Sequence, residues 1–399
     1  MIIYDHIIIG SGIAGLYAGF KLGQKKILVL EKNSYIGGRA QNISFHKTSI
    51  PTGAGIGRFK KDKLLKKLLS DLDIPINRFS VNISYSFIPS NVKKIFKYLK
   101  SVYNGEQNLT FKQFALKHID LSIYKLFVRS IGLTDYENED VEETLFRYGM
   151  EDNMDGWEAF GVSWNIVVNK LAQSIKFNGN KIKTNSGVEL VQTCENWLEV
   201  STLDKKYFCT NVIIACEITG IRKLLPQFTH LYSNIKSNSF IRIYGHFIGK
   251  SKLLMEKLIG NTTYVNTPLY KIIPIDAESG VYMLAYSDNK AADKLIDLIE
   301  SNNEITWLEQ MVSKSLSIRN NSTQLQINEI SYFYWKDGTH YFRPLSETVY
   351  TTRKKYIQAI QNPKPNIYVC GEAVAKAHGW IEGALESVEF VLGQLNKMI

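Results

Sequence analysis

The sequence predicts an α/β chain. It expects a Rossmann-like nucleotide domain assembled from separated segments, and a second α+β domain, mixed sheet plus helices, inserted into it. Three observations predict this. Residues 4–31 read as strand, glycine-rich turn, helix, strand and acid. A second glycine-rich stretch follows at once, "NSYIGGRA". Residues 367–395 then read as a buried strand, a Gly-Glu pair and a small-residue helix start, which is more chemistry than a dispensable tail carries.

The first unit runs from an apolar strand at residues 4–9 into "GSGIAG". Gly10, Gly12 and Gly15 fit G-x-G-x-x-G, a helix-compatible stretch follows, and "KKILVLEKN" supplies a second strand ending in Glu31. Gly10 suits the tight turn, Gly12 lets backbone approach a pyrophosphate, and Gly15 lets helix pack close on strand. The helix start offers N–H groups and a positive dipole end to phosphate. An acid at Glu31 suits an unphosphorylated ribose, hence FAD or NAD and not NADP. The expected contacts from this unit are Gly10, Ser11, Gly12, Ala14, Gly15, Glu31 and Lys32. Gly37, Gly38 and Arg39 come next, two glycines and a forked donor suited to a pyrophosphate or flavin. The glycine-dense "PTGAGIGRF" at 51–59 adds Gly55 and Ile56, where backbone must approach a flat ring.

Composition excludes several classes. With 399 residues and 45% hydrophobic content, the chain has mass for two or three domains and a large core. Its four cysteines form no CxxC pair and no zinc spacing, which suggests a reducing compartment. The N-terminus lacks a secretory pattern, no run approaches the roughly 20 apolar residues of a membrane helix, and the final "KMI" carries no anchor. A cytoplasmic protein without membrane or nucleic-acid partners is therefore expected. The net charge of +10 is dispersed, and its densest run, "RFKKDKLLKKLLSDL", has leucines at helical spacing and reads as a wet helix face.

These motifs together resemble the flavin-containing amine oxidases, the monoamine and polyamine oxidase family. The resemblance rests on the N-terminal fingerprint with "GGRA", on "FGVSWNIVVNKLAQSI" at 160–175, on "KIKTNSGVELV" and "FCTNVIIAC", and above all on "NIYVCGEAVAKAHGWIEGALES". It implies an FAD-binding domain of residues 1–75, 155–225 and 362–399, and a substrate domain of 76–154 and 226–361. The latter would hold helices in "FKQFALKHIDLSIYKLFVRSIGL", strands in "SFIRIYGHFIG", "PLYKIIPID" and "GVYMLAYSD", and a helix at about 290–315. It also implies that Val188 lies near adenine, Gly371 and Glu372 near the pyrophosphate and ribityl chain, and Ile381 at the N1/O2 edge of the flavin.

The implied reaction is hydride transfer from the carbon beside an amine nitrogen to flavin N5. The imine then hydrolyses, and oxygen is reduced to peroxide. By resemblance, Trp380 and Tyr341 form the aromatic pair flanking the amine. His340 stands where monoamine oxidases carry the flavin-bonding cysteine, so FAD is expected without a covalent link. Arg242 stands where the family has a lysine that assists oxygen reduction, with Lys271 a weaker substitute. This departure leaves open a dehydrogenase or desaturase of another substrate, or a catalytically weak flavoprotein with a structural or sensing role. Between Asp135 and Glu158 the chain is dense in acids, which would steer a cationic amine. Arg58 is a candidate for a carboxylate, should the substrate be an amino acid, and equally a candidate contact for FAD.

Overall fold

The computed structural model describes residues 2–301, 304–318 and 325–395. Its larger sheet has seven strands drawn from three distant stretches of chain. Ile3–Ile9 lies centrally, parallel to Ile27–Leu30 on one side and to Lys206–Ile214 on the other. Lys181–Lys183 extends one edge, and the hairpin strands Val188–Thr193 and Leu198–Thr202 extend the other. Ile367–Val369, almost at the end of the chain, also pairs in parallel with Lys206–Ile214. All four residues of Ile27–Leu30 are buried, as expected for a parallel strand covered on both faces.

Two hydrophobic clusters cover those faces, and they take alternate residues of each strand. Ile8, Val29 and Ile213 pack towards Leu16, Val168, Leu171 and Val388. Ile7, Leu28, Val212 and Ile214 pack towards Ile221, Tyr356 and Ile360. The helix Ile13–Leu22 sits so close to the sheet that a Cβ on Gly15 would fall 2.0 Å from the Gly10 carbonyl oxygen. Gly10 itself turns at φ +101°, a conformation that L side chains rarely adopt.

The second sheet has six strands, in the order Glu329–Phe342, Ile235–His246, Val281–Asp288, Lys271–Asp276, Thr262–Tyr264 and Ile83–Tyr85. Three of these lie where sequence placed strands. The expected helix at about 290–315 is two, Asn289–Ile299 and Glu304–Ser315, with residues 302–303 outside the described set. The helices Val92–Val102, Phe111–His118, Leu121–Ile131 and Val141–Phe146 form a separate cluster around Phe111, Phe114, Phe127 and Tyr136. Among the described residues, no helix is long and apolar enough to cross a membrane. The "KMI" end lies outside the described residues.

The 14-residue strand Glu329–Phe342 was not among the strands expected from sequence. The chain stays extended by bulging. Trp335 pairs with Phe240 and Thr339 with Asn238, so four steps on one strand oppose two on the other. Ser237 and Thr219 hydroxyls donate to the Asp337 carboxylate and pin the bulge.

Candidate active site

A cavity of about 630 Å³ runs from the carboxyl ends of the parallel strands to the second sheet. At one end, Gly10, Gly12, Gly38 and Gly371 line it. A Cβ on Gly12 would meet nothing within 4 Å, and on Gly371 nothing closer than 3.7 Å, so here the wall is bare backbone. The helix Ile13–Leu22 begins at this wall with no side-chain cap and no acid in its first turn. Such a start is suited to an anion. Glu31 is held in place from behind, where the Ser11 N–H and hydroxyl both donate to its Oε2 at 2.8 Å and Asn33 N–H donates to Oε1 at 2.9 Å.

The chain's closing segment completes the middle of the cavity. Glu372 is buried and accepts from the backbone N–H groups of His340 (2.8 Å) and Gly379 (2.9 Å). Its other oxygen accepts from His340 Nδ1 at 2.5 Å, with Arg39 at 3.4 Å. Burial opposes ionisation, but His340, Arg39 and His378 outweigh it and hold the carboxyl well below its ordinary value. The Ile218 N–H points at His340 Nε2 (3.3 Å), which fixes the ring proton on Nδ1. Arg39 also donates to the carbonyls of Asp337 and Gly338, so the bulge and the "GGRA" loop are tied together. Glu382, in the first turn of Ile381–Leu395, turns away from the cavity and accepts from Leu64 and Leu65 N–H. It thereby caps the helix Lys63–Asp71.

The far end is built from side chains: Phe240, Arg242, Tyr286, Trp335 and Trp380. Trp335 Nε1 donates to the Thr52 carbonyl at 2.8 Å, which orients its ring. Trp380 Nε1 donates to Asp62 at 2.6 Å, and its ring meets Trp164 edge-on at 6.4 Å. Arg242 lies over the Tyr286 ring, 4.7 Å from its centroid.

Of the residues expected from sequence, Gly10, Gly12, Ala14, Glu31, Lys32, Gly38, Arg39, Val188, Arg242, Gly371, Glu372, Trp380 and Ile381 line this cavity. Ser11 and Gly15 stand behind the wall, as support for Glu31 and as the helix–strand contact. Gly55 and Ile56 are displaced by two residues, since Gly53 and Ala54 form the lining instead. Gly55 packs beside Arg242 and its carbonyl accepts from Trp164, while Ile56 is 37% exposed.

Tyr341 does not join Trp380. It adjoins a separate cavity of about 20 Å³, with Asp135, Glu139 and His378. The bulge explains this. Thr339 reaches the large cavity, and Tyr341, on the same strand face, lies two residues and about 7 Å further along. Lys271 also stays outside the large cavity. It donates to Asn153 at 3.3 Å, and burial pushes its amine down to about 8 against the fields of Asp135 and Asp288.

The acid run is mostly occupied with structure. Asp140 and Glu143 pair with Arg353, and Asp152 with Arg58 and Lys61. Arg58 is held by Asp62 as well, at 2.7 Å. Sequence reasoning passed over Phe240, Tyr286 and Trp335. They come from three strands with no shared spacing.

Comparison with known proteins agrees with this architecture. The model of a flavin containing amine oxidoreductase family matches residues 162–388, and that of an NAD(P)-binding Rossmann-like domain matches residues 8–72. Uncharacterized protein R188 of Acanthamoeba polyphaga mimivirus is 22% identical over 97% of this chain and 93% of its own length. Among solved structures, a wild-type putrescine oxidase bound to putrescine aligns with a TM-score of 0.77 at 13% identity, covering 99% of each chain. Cyclohexylamine oxidase from Brevibacterium oxydans IH-35A aligns with a TM-score of 0.76 at 13% identity, covering 99% of this chain and 100% of that one. At such identity these two likenesses speak for the fold.

Proposed function

The chain belongs to the flavin-containing amine oxidoreductase family, and on that premise we propose that it holds FAD without a covalent bond and oxidises an amine, with oxygen as acceptor and peroxide as product. One observation carries this reading. A single cavity has a bare-backbone wall and an uncapped helix start at one end, and an aromatic chamber at the other.

The residues fit a dinucleotide. The start of Ile13–Leu22, with Gly12 and Gly38, takes the pyrophosphate. Glu31 keeps lone pairs for ribose hydroxyls after serving Ser11 and Asn33. Val188 borders the adenine, and the first turn of Ile381–Leu395 offers N–H groups to the flavin's N1/O2 edge. Bound FAD supplies the acceptor for a hydride leaving the carbon beside nitrogen. Phe240, Trp335 and Trp380 exclude water and flank the amine, and the product imine hydrolyses once released. Non-covalent attachment is supported by His340, whose two ring nitrogens are both engaged. Cys216 lines the nucleotide end, and burial pushes its thiol far up, so it is a poor nucleophile.

The test is anaerobic. The purified yellow protein is titrated with monoamines, diamines and amino acids while the flavin absorbance is followed, and peroxide is measured in air. Bleaching by an amine with peroxide formation is expected. Bleaching without peroxide would mark a dehydrogenase, a reading that Arg242 favours because a guanidinium does not shuttle protons. Bleaching by none of these compounds would overturn amine oxidation.

A further inference from the structure

We propose that Arg242 anchors a carboxylate, so that the amine oxidised here also carries an acid group on an apolar or aromatic body. This rests on the reading above and narrows its substrate class.

Arg242 is only 6% exposed and borders the aromatic chamber. Its guanidinium stays charged wherever the protein is folded. Yet no carboxylate lies within 4 Å of it among the described residues. The other cations of the cavity differ. Lys32 pairs with Glu217 at 2.8 Å, Lys223 with Glu189 at 2.6 Å, and Arg39 with Glu372 at 3.4 Å.

Arg242 is flanked by Gly55, Tyr286 and Tyr244, none of which carries a negative charge. The Tyr244 hydroxyl donates to the Pro51 carbonyl at 2.6 Å and its oxygen still faces Arg242, so the guanidinium has neutral hydroxyl partners and no anionic one. Lys271, which touches the same Tyr286 ring, feels Asp135 and Asp288, whereas Arg242 feels no acid of comparable weight. The nearby acidic run offers no rescue, because Asp140, Glu143 and Asp152 are paired elsewhere.

A buried charge without a counter-charge is costly, and a fixed forked donor aimed into a cavity matches a carboxylate. The phosphates belong at the opposite, backbone-lined end, so the missing anion is assigned to the substrate. Arg58, the sequence candidate for this role, is already held by Asp62 and Asp152. Phe240, Tyr286 and Trp335 give the surrounding wall, which sets the apolar body of the ligand.

The experiment uses the flavin-loaded protein. Benzoate, which cannot be oxidised here, is titrated while the flavin spectrum and intrinsic fluorescence are followed, in wild type, Arg242→Met and Arg242→Lys. Saturable binding is expected in wild type, weaker by on the order of 50-fold in Arg242→Met and partly restored in Arg242→Lys. Wild type alone is also reduced anaerobically with matched pairs, phenylalanine against phenethylamine and ornithine against putrescine. The acid-bearing member should act at lower concentration. Preference for the decarboxylated partners together with indifference to benzoate would overturn the anchor and leave amine oxidation standing. Benzoate binding through Arg242 with no reduction by any amine would uphold the anchor and overturn amine oxidation.

Discussion

The two ends of the cavity are built on different principles. The end proposed for the nucleotide is made of backbone: Gly10, Gly12, Gly38 and Gly371, a helix start, and one acid locked by Ser11. The end proposed for the substrate is made of side chains: Phe240, Arg242, Tyr286 and Trp335, carried by three strands of another sheet. A backbone wall leaves spaced glycines in the sequence, because a Cβ there would either clash, as on Gly10, or stand in the cavity, as on Gly12. A side-chain wall tolerates substitution and leaves no such mark. The first end should therefore fail all at once when altered, and the second should change by degrees.

The sharpest break is Gly10→Val. It forces a β-branched residue into φ +101° and puts its Cβ about 2.6 Å from the Ala215 carbonyl oxygen. We expect a loss of about 3 kcal/mol or more and no flavin in the purified protein. Denaturant unfolding and the visible spectrum check both.

Glu372→Gln comes next. It leaves His340 and Arg39 facing an amide, and a cost of about 2–4 kcal/mol is expected at neutral pH. The native carboxyl titrates well below its ordinary value of 4.5, so its contribution is complete above that value and fades as pH falls through the native one. The stability gap between wild type and variant should shrink below pH 4.5. A gap that widens in acid would reverse the assignment.

Trp335→Phe removes the hydrogen bond to Thr52 but keeps an aromatic wall. At about 1 kcal/mol, KM should rise roughly fivefold with flavin content unchanged. The smallest effect belongs to Tyr341→Phe, outside the large cavity. Its KM should stay within about twofold of wild type, as for a site without an interaction to lose. A large KM change there would show that the small cavity beside it opens into the chamber.

This contrast also explains what could be read from the chain. The parallel strands, both glycine loops, Glu31 and the closing Gly371–Glu372 pair were legible because local spacing encodes them. The lining by Gly53 and Ala54 was missed by two residues, since "PTGAGIGRF" offers several small residues and only the fold chooses among them. Tyr341 was misjudged because the bulge at Lys336, Asp337 and Gly338 changes which residues of that strand reach the cavity. Phe240, Tyr286 and Trp335 were invisible because only sheet pairing brings them together. Arg242 was visible as a residue, but not its lack of an acidic partner.

The most direct test of the central claim is the flavin itself. The purified protein is precipitated with acid, and supernatant and pellet are analysed by chromatography. A backbone cradle holding an intact dinucleotide predicts one FAD per chain, all of it in the supernatant. Flavin retained in the pellet, FMN in place of FAD, or a colourless protein that takes up no FAD would contradict it.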